Sequence, residues 1–397
     1  MSAPAAESSY RALLAVPSFS RLVLGTQVAR TGQQMASLGL VLFALATYGS
    51  PELAGLVAFC SLFPGLVVSP VAGALLDRHG RTRLVVLDQC VALAALGLIG
   101  GLALLHQLPA WLLLLIAGVA SLTAPLSATG LRSLFPLLVP RHLWERGNAV
   151  DANGQLLAGM LGLPLAGTAV QVLGPEWALL AIASLFGLAA LILRRAPDPA
   201  TAPARSGPLV QDAWRGLVYW WQNPTLRGLG FTYVAIGSVG GLLGIALPVL
   251  VLDRFQHGPA IVGSLFALGG GTGAFAALLA GRIPSRGRER VFLALPALVI
   301  GLTVAGLAVA MGVSGAMAGV MNVVLITLRQ RRTDPAWFGR AFAISGSINT
   351  LGGPVGSAIA GPLVSRSLDV ALVVGAALGG LACVLAWLTI PPDDPSS

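Results

Sequence analysis

Long apolar runs separated by short polar segments make up almost the whole chain. Twelve of these runs approach the roughly 20 apolar residues that a helix needs to cross a bilayer. The pattern predicts an all-α membrane protein with 12 transmembrane helices. The approximate spans are Leu22–Ala46, Leu53–Leu76, Leu84–Leu105, Ala110–Leu131, Asn148–Val172, Trp177–Leu193, Leu226–Leu252, Ala260–Gly281, Val291–Ala308, Gly312–Leu328, Ala341–Val364 and Val370–Ile390.

The ninth and tenth spans are short because no charged residue marks a turn between Val291 and Leu328. We place the turn near Met311–Gly315, where two glycines and a serine interrupt the apolar run. The alternative is one long helix followed by a re-entrant segment.

A proline-rich segment divides the chain near its centre, because Ala196–Pro208 holds too many prolines to continue a helix. We therefore predict an N-terminal six-helix bundle (1–195), a linker (196–224) and a C-terminal six-helix bundle (225–397). Within the linker, Leu209–Gln222 places apolar side chains on one helical stripe. This predicts an amphipathic helix lying on the inner membrane surface.

The two halves are related in sequence. Residues 146–167 align without gaps on residues 340–361, with arginine at both starts and matching glycine spacing. Small residues let membrane helices approach closely. The alignment predicts two bundles related by a pseudo-two-fold axis, with helix-packing motifs at Gly159, Gly162, Pro164, Gly167, Gly353, Pro354, Gly356 and Gly361.

Composition supports a membrane protein. Hydrophobic residues make up 56% of the chain and charged residues 10%, whereas soluble domains carry about 25% charged residues. The net charge is +9, but the arginines are spread over short loops rather than gathered on one face. That distribution argues against nucleic-acid binding.

The arginines also predict orientation. Alternate loops hold nearly all of them, and only Arg254 and Arg366 fall on the other side, with Arg30 inside the first span. Positively charged loops stay in the cytoplasm. We expect a multi-pass protein of a bacterial cytoplasmic membrane with both termini inside.

Several chemistries are disfavoured. The chain has no lysine, so the run Gly269–Gly273 cannot be a Walker A loop, which requires one. Three isolated cysteines form neither a disulfide framework nor a metal site. Gly312–Gly315 matches the Gly-x-Ser-Gly of rhomboid-type proteases, but the histidines fall in loops and leave Ser314 without a base. We expect no enzyme activity, metal or cofactor.

A charged segment between the second and third spans carries the strongest motif. It places Gly73 before Asp77-Arg78, Gly80-Arg81 and Arg83. This order resembles the signature loop of the major facilitator superfamily, a class of secondary transporters. Further matches resemble the macrolide-efflux and enterobactin-exporter branch: Leu24–Gly32, Pro70–Arg83, Asp88, Leu134–Pro140, Arg146–Ala149, Asn223–Arg227 and Gly339–Ala343.

The resemblance implies a conformational latch formed by Gly73, Asp77, Arg78, Gly80, Arg81 and Arg83. In that family the loop is cytoplasmic, and its aspartate faces the start of helix 11, whose positive dipole end favours an anion. Asp77 would thereby hold the outward-open state, and the arginines would bind carboxylates or lipid phosphates. An acidic partner on helix 4, common in relatives, is replaced by Arg132, which is expected to pair with Asp77 or Asp88.

Arg30 is a charge inside the first span, where charges are costly and usually face the bundle interior or a wet cavity. Gln27, Arg30, Thr31 and Gln34 follow helical spacing, and helix 1 lines the central cavity in this fold. We assign them to the substrate cavity. The alternatives are that Arg30 pairs with a nearby acid to fix helix packing, or that it snorkels inward.

Proton coupling needs a titratable group that alternates between sides. The candidates are Asp88 and Asp151, each about one turn inside the inner face, together with Arg132. Either aspartate could instead be a structural partner of Arg81, Arg132 or Arg146.

Together these features predict a secondary transporter working by alternating access. We expect proton-driven efflux of a small amphipathic or hydrophobic compound, with membrane lipid, the substrate and protons as partners, and a functional monomer. The alternatives are an importer of a small metabolite and a non-transporting sensor or scaffold.

Overall fold

The computed structural model describes residues 10–198, 209–280, 288–302, 307–334 and 337–391. These residues fold into seventeen α-helices, and no β-strand occurs among them. The N-terminal half contains α1 (Tyr10–Ala15), α2 (Phe19–Tyr48), α3 (Pro51–Cys60), α4 (Phe63–His79), α5 (Arg81–Leu104), α6 (Ala110–Ser121), α7 (Ala124–Leu138), α8 (Trp144–Leu173) and α9 (Pro175–Leu193).

An amphipathic helix in the linker, α10 (Leu209–Gln222), precedes the C-terminal half. The helices of that half are α11 (Pro224–Val249), α12 (Pro259–Ala280), α13 (Glu289–Leu302), α14 (Leu307–Arg331), α15 (Phe338–Thr350), α16 (Gly352–Arg366) and α17 (Leu368–Thr389). A short π-helical segment, Leu250–Arg254, extends α11.

Polar residues define where several of these helices begin. The Ser50 side chain accepts a hydrogen bond from Leu53 N at 3.1 Å, and Asn223 accepts one from Leu226 N at 3.1 Å. A proline follows each of these caps, where its missing N–H costs no helical hydrogen bond. Such caps satisfy backbone donors that the first helical turn leaves free.

The helices match the twelve predicted spans closely, and the predicted all-α membrane fold is confirmed. Within the described ranges, nine helical stretches are long and apolar enough to cross a membrane, and two of them, Pro51–Ala72 and Ala110–Leu131, each join two of these helices. The first, ninth and eleventh predicted spans are not among these nine. The first carries the polar stripe around Arg30, and the ninth has 14 described residues.

Three predicted spans are two helices rather than one. A short non-helical interruption separates α3 from α4, α6 from α7 and α15 from α16. The first two interruptions lie next to each other in the structure. A Cβ built on Gly65 of α4 would collide with the carbonyl oxygen of Ser121 at the end of α6. A proline follows closely after each break, which explains why the helices restart there.

The predicted turn at Met311–Gly315 is wrong. These residues lie inside α14, and the connection from α13 falls at 303–306, outside the described residues. Gly315 serves helix packing instead, since a Cβ there would collide with the backbone of Gly269 in α12. Gly319 approaches Gly273 in the same way. The sequence suggested a turn here because glycine is used both in turns and where two helices pack closely together.

The charged segment between the second and third spans is mostly helical, whereas the sequence predicted a loop. Asp77 and Arg78 continue α4, and α5 begins at Arg81. The reversal occupies Gly80 alone, at φ 91°, a backbone conformation that glycine adopts without a steric penalty.

Candidate functional site

An ion pair inside the N-terminal half joins α2 to α8. Arg30 Nη2 lies 2.7 Å from Asp151 Oδ1, and Arg30 Nη1 donates a hydrogen bond to the Asp151 carbonyl oxygen at 3.1 Å. The two side chains are 8% and 22% exposed. Asp151 Oδ1 accepts no hydrogen bond of suitable geometry from the described residues. The contact between the two side chains is therefore electrostatic.

The rest of the predicted polar face also meets α8. A Cβ on Gly154 would lie 2.8 Å from Gln27 Oε1, and one on Gly162 would lie 2.6 Å from Gln34 Cβ. A Cβ on Gly159 would lie 3.3 Å from Gln34 Nε2. The glycines of α8 therefore make room for the polar side chains of α2.

This arrangement answers a question that the sequence left open. Asp151 pairs with Arg30, whereas the side chain of Arg132 lies outside the described residues. The polar face lies along a helix interface with one charge of each sign. Its role in binding substrate stays a prediction.

Asp88 sits in a second polar cluster, between α5 and the break that separates α6 from α7. Thr123 Oγ1 donates to Asp88 Oδ1 at 2.6 Å. Gln89 Nε2 lies 3.4 Å from Asp88 Oδ2 and donates to Ser127 Oγ at 2.8 Å. Asp88 is 7% exposed. Its described partners are hydroxyls and an amide, which can hydrogen-bond either the carboxylate or the neutral acid.

The predicted latch is only partly described. The side chains of Asp77 and Arg132 lie outside the described residues, as do most of those of Ala341–Ile344, the start of helix 11 that Asp77 was expected to face. Arg78 and Arg83 are exposed, and Arg81 is half-buried. α4 does reach the C-terminal half, since Ser69 and Ser347 of α15 hydrogen-bond at 3.0 Å. The latch role of Asp77 stays a prediction.

Asp198, at the start of the linker, caps α5 directly after this turn. Its Oδ1 accepts from Arg81 N at 3.0 Å and from Thr82 N at 3.3 Å. The neighbouring Pro197 carbonyl accepts from Thr82 Oγ1 at 3.1 Å. The sequence analysis missed this residue, because a cap that lies 117 positions away leaves no local signal.

The other end of the linker is fastened to the C-terminal half. Tyr219 of α10 stacks on Trp337 with ring centroids 4.9 Å apart, and its hydroxyl accepts from Asp334 N at 3.0 Å. Trp220 is buried beside Gly230 of α11. The apolar stripe predicted for this helix is exposed, with Trp214, Leu217, Val218 and Trp221 at its surface.

The two halves pack tightly at the end of the molecule opposite Gly80, which we call the arginine-poor end. There the end of α8 meets the start of α12. A Cβ on Gly167 would collide with the Pro259 carbonyl, and one on Gly263 would collide with the Leu163 carbonyl beside Pro164. Gln171 Oε1 accepts from Ala260 N at 3.1 Å, so a side chain of one half caps a helix of the other.

A second contact closes the same end on the opposite side. α3 packs on α16, where Gly55 lies against the Ser357 carbonyl and Gly361 against the backbone of Pro51 and Glu52. The other packing glycine of this region, Gly356, lies on Ser238 of α11, and Pro354 is buried. A Cβ built on Gly353 would meet no neighbour within 4 Å among the described residues, but the Gly353 carbonyl itself lies against Gly241 of α11.

The Major Facilitator Superfamily model matches residues 22–313. The chain is 36% identical to the uncharacterized MFS-type transporter y4rN of Sinorhizobium fredii, over 97% of this chain and 98% of that protein. It is 22% identical to macrolide efflux protein A of Streptococcus pyogenes, covering 85% and 87% of the two chains. It is also 26% identical to multidrug efflux pump Tap of Mycobacterium tuberculosis, covering 87% of each.

Solved structures agree on the fold. The nucleoside transporter NupG superposes with a TM-score of 0.75 at 13% identity, over 92% of this chain and 97% of that one. A bacterial homologue of the iron transporter ferroportin, in an inward-facing state, gives a TM-score of 0.68 at 17% identity, over 93% and 97%.

Proposed function

Because this chain belongs to the major facilitator superfamily of secondary transporters, we propose that it exports a small amphipathic or hydrophobic compound in exchange for protons. Membership makes it a multi-pass membrane transporter of a small molecule rather than an enzyme. The direction, the coupling ion and the kind of substrate are the parts that we propose.

The relatives support export. Macrolide efflux protein A and multidrug efflux pump Tap are both named as efflux proteins and align with more than four-fifths of this chain. The chain's own residues agree with a substrate of low charge, since only 10% of its residues are charged. We place both termini in the cytoplasm, on the arginine-rich side of the membrane.

The ion pair between Arg30 and Asp151 is the observation that carries proton coupling. Both charges lie within membrane-spanning helices and are largely buried, where unpaired charges are costly. A proton on Asp151 would cancel its charge and release Arg30, so the contact between α2 and α8 would depend on protonation. A proton taken up from one side and lost to the other would thus change the packing of the bundle.

The closed arginine-poor end supports alternating access. In this proposal the present arrangement is the inward-facing state, in which both α8/α12 and α3/α16 seal the outer side. Rocking of the two halves around a central cavity then exposes the substrate to the outside.

Dye and drug accumulation in a pump-deficient bacterium tests the proposal. Cells expressing the wild type should accumulate less of an exported compound, and a protonophore should abolish the difference. Asp151→Asn should lower stability, as any loss of one partner of the buried pair does, but the molecules that remain folded should lose active export and retain exchange of labelled substrate across proteoliposomes at equal pH, because the substitution removes the proton site and leaves the pathway. Asp369→Asn is the matched control, since the Arg254–Asp369 pair is 60% and 76% exposed and should be dispensable.

Other outcomes would assign a different activity. Higher accumulation of a labelled nutrient would indicate import. No change over a broad panel of dyes, drugs and nutrients would favour a sensor or scaffold. Full protonophore-sensitive export by Asp151→Asn would refute Asp151 as the coupling residue.

A further inference from the structure

A cluster of oxygen atoms lies around Asp88, where α5 packs on the interruption between α6 and α7. Asp88, Gln89 and Ser127 are 7%, 2% and 5% exposed, and Thr123 is half-buried. Thr123 directly precedes α7, and Ser127 follows four positions later, which is about one helical turn. Two neighbouring residues of α5 thus meet two hydroxyl groups of the adjacent span.

The carboxylate of Asp88 is incompletely hydrogen-bonded by the described residues. Oδ1 accepts from Thr123 Oγ1 at 2.6 Å, whereas Gln89 Nε2 lies 3.4 Å from Oδ2, a weak hydrogen bond. A carboxylate offers about four acceptor sites. Among the described residues, Asp88 forms no ion pair with an arginine or a histidine. Charges inside membrane-spanning helices are normally paired, so this carboxylate calls for a positively charged ligand.

The amide oxygen of Gln89 points to the same kind of ligand. Oε1 accepts no hydrogen bond from the described residues, and it belongs to the amide whose Nε2 donates to Ser127 Oγ at 2.8 Å. A buried carbonyl oxygen near a carboxylate is unfavourable without a partner, because both groups carry negative charge. A proton on Asp88 would neutralise the carboxylate but leave Gln89 Oε1 as it is. A metal cation can take both oxygens as ligands.

The surroundings of Thr123 also suit a cation. Its hydroxyl lies 3.1 Å from the Ala120 carbonyl as well as 2.6 Å from Asp88, so its proton can turn to Ala120 and leave the lone pairs of the oxygen for a cation. α6 ends at Ser121, and the C-terminus of a helix carries partial negative charge. The end of α6 therefore adds to the potential that attracts a cation.

From these contacts we infer that Asp88, Gln89, Thr123 and Ser127 form a binding site for Na⁺. Carboxylate, amide and hydroxyl oxygens are ligands that hard cations prefer, and one monovalent ion balances the single carboxylate. Groups of three or more acids, histidines or cysteines, which hold divalent metals, do not occur among the described residues. The inference goes beyond the proposed function, because the site is separate from the Arg30–Asp151 pair and implies nothing about the substrate.

Binding of radioactive Na⁺ to the purified, detergent-solubilised transporter tests the inference without requiring transport. Choline chloride, whose cation is too large for such a cluster, keeps the ionic strength constant. The wild type should bind Na⁺ saturably, and Na⁺ should raise its unfolding temperature relative to choline. Asp88→Asn preserves the shape of the side chain and should abolish saturable binding. Thr123→Val should weaken binding about tenfold, because it removes one oxygen ligand of a charged ion.

Thr327→Val is the control variant, because Thr327 is a half-buried threonine of α14 whose hydroxyl bonds its own helix at the Val323 carbonyl. It should keep the wild-type affinity. The loss in Thr123→Val decides the matter should Asp88→Asn not fold. A wild type without saturable Na⁺ binding, or unchanged affinity in the site variants, would overturn the inference. Saturable binding by a protein that exports nothing would retain the inference and refute the proposed export.

Discussion

At the scale of single residues, the same type of ion pair occurs in two environments. Arg30 and Asp151 are 8% and 22% exposed, whereas Arg254 and Asp369 are 60% and 76% exposed. Exposed pairs contribute little because water and salt screen them. A buried pair matters chiefly when one partner is lost, because the other charge is then left in an apolar surrounding.

Arg30→Leu should therefore destabilise the protein by about 3–5 kcal/mol, the usual cost of leaving a buried charge without its partner. The double variant Arg30→Leu/Asp151→Leu should recover most of that loss, since it leaves no unpaired charge. Thermal unfolding in detergent, followed by tryptophan fluorescence, measures both.

Arg254→Leu is the control and should change the unfolding temperature little. A double variant as unstable as Arg30→Leu alone would contradict the expected coupling between the two residues.

The residue scale also separates what local pattern reveals from what it does not. The spacing of Gln27, Arg30, Thr31 and Gln34 was sufficient to predict a polar stripe. It could not identify the partner, because Asp151 lies 121 positions away and three other arginines were equally plausible partners for it. Helical periodicity gives the direction of a side chain around its own helix but not the helix that it meets.

At the scale of helices, glycine decides how closely neighbours approach. α12 and α14 cross where Gly315 meets Gly269 and Gly319 meets Gly273. These glycines remove the side chains that would hold the two backbones apart, as small residues commonly do in membrane proteins. The run Met311–Gly315 could be interpreted as a turn only because the sequence shows the glycines without their neighbour.

Gly315→Ala should destabilise the protein by about 1–3 kcal/mol, the usual cost of overpacking. Gly312→Ala, one turn away on the same helix, should be nearly neutral, since among the described residues its Cβ would meet Thr272 Cγ2 alone, at 3.8 Å, an ordinary van der Waals contact. Unfolding temperatures of the two variants test this.

A turn at Met311–Gly315 would give no reason for Gly315 to be more sensitive than Gly312. Equal stability of the two alanine variants would therefore speak against the packing described for α14.

At the scale of the whole molecule, the contacts at the arginine-poor end hold the two halves together. Glycines at α8/α12 and α3/α16 bring the backbones together, and Gln171 caps the first turn of α12 across the boundary. A helix start has backbone donors that need partners. Separation of the halves at this end would remove the cap, so the closed arrangement is favoured by one hydrogen bond that the open one lacks.

Gln171→Leu should thus shift the population toward the state that is open at this end. Spin labels on cysteines at Leu173 and Ile261, both exposed and on opposite sides of the boundary, report the opening by pulsed EPR in a background without the three native cysteines. A larger fraction of long distances is expected, corresponding to roughly a fivefold change for one hydrogen bond of about 1 kcal/mol.

Gln256→Leu is the matched control, because Gln256 bonds the Asp253 carbonyl within its own half. Identical distance distributions for Gln171→Leu, Gln256→Leu and the wild type would show that the cap does not stabilise the closed state.

The sequence by itself determined the all-α membrane fold and the family, because both depend on patterns contained within a few dozen consecutive residues. Apolar length selects a membrane helix, and the order of residues from Gly73 to Arg83 is specific over eleven positions. Only the tertiary structure decided that Asp151 meets Arg30, that Asp198 caps α5, that Gly315 packs on Gly269 and that the arginine-poor end is closed. Each of these depends on which distant helices lie side by side, and that is set by the packing of the whole bundle rather than by any local preference.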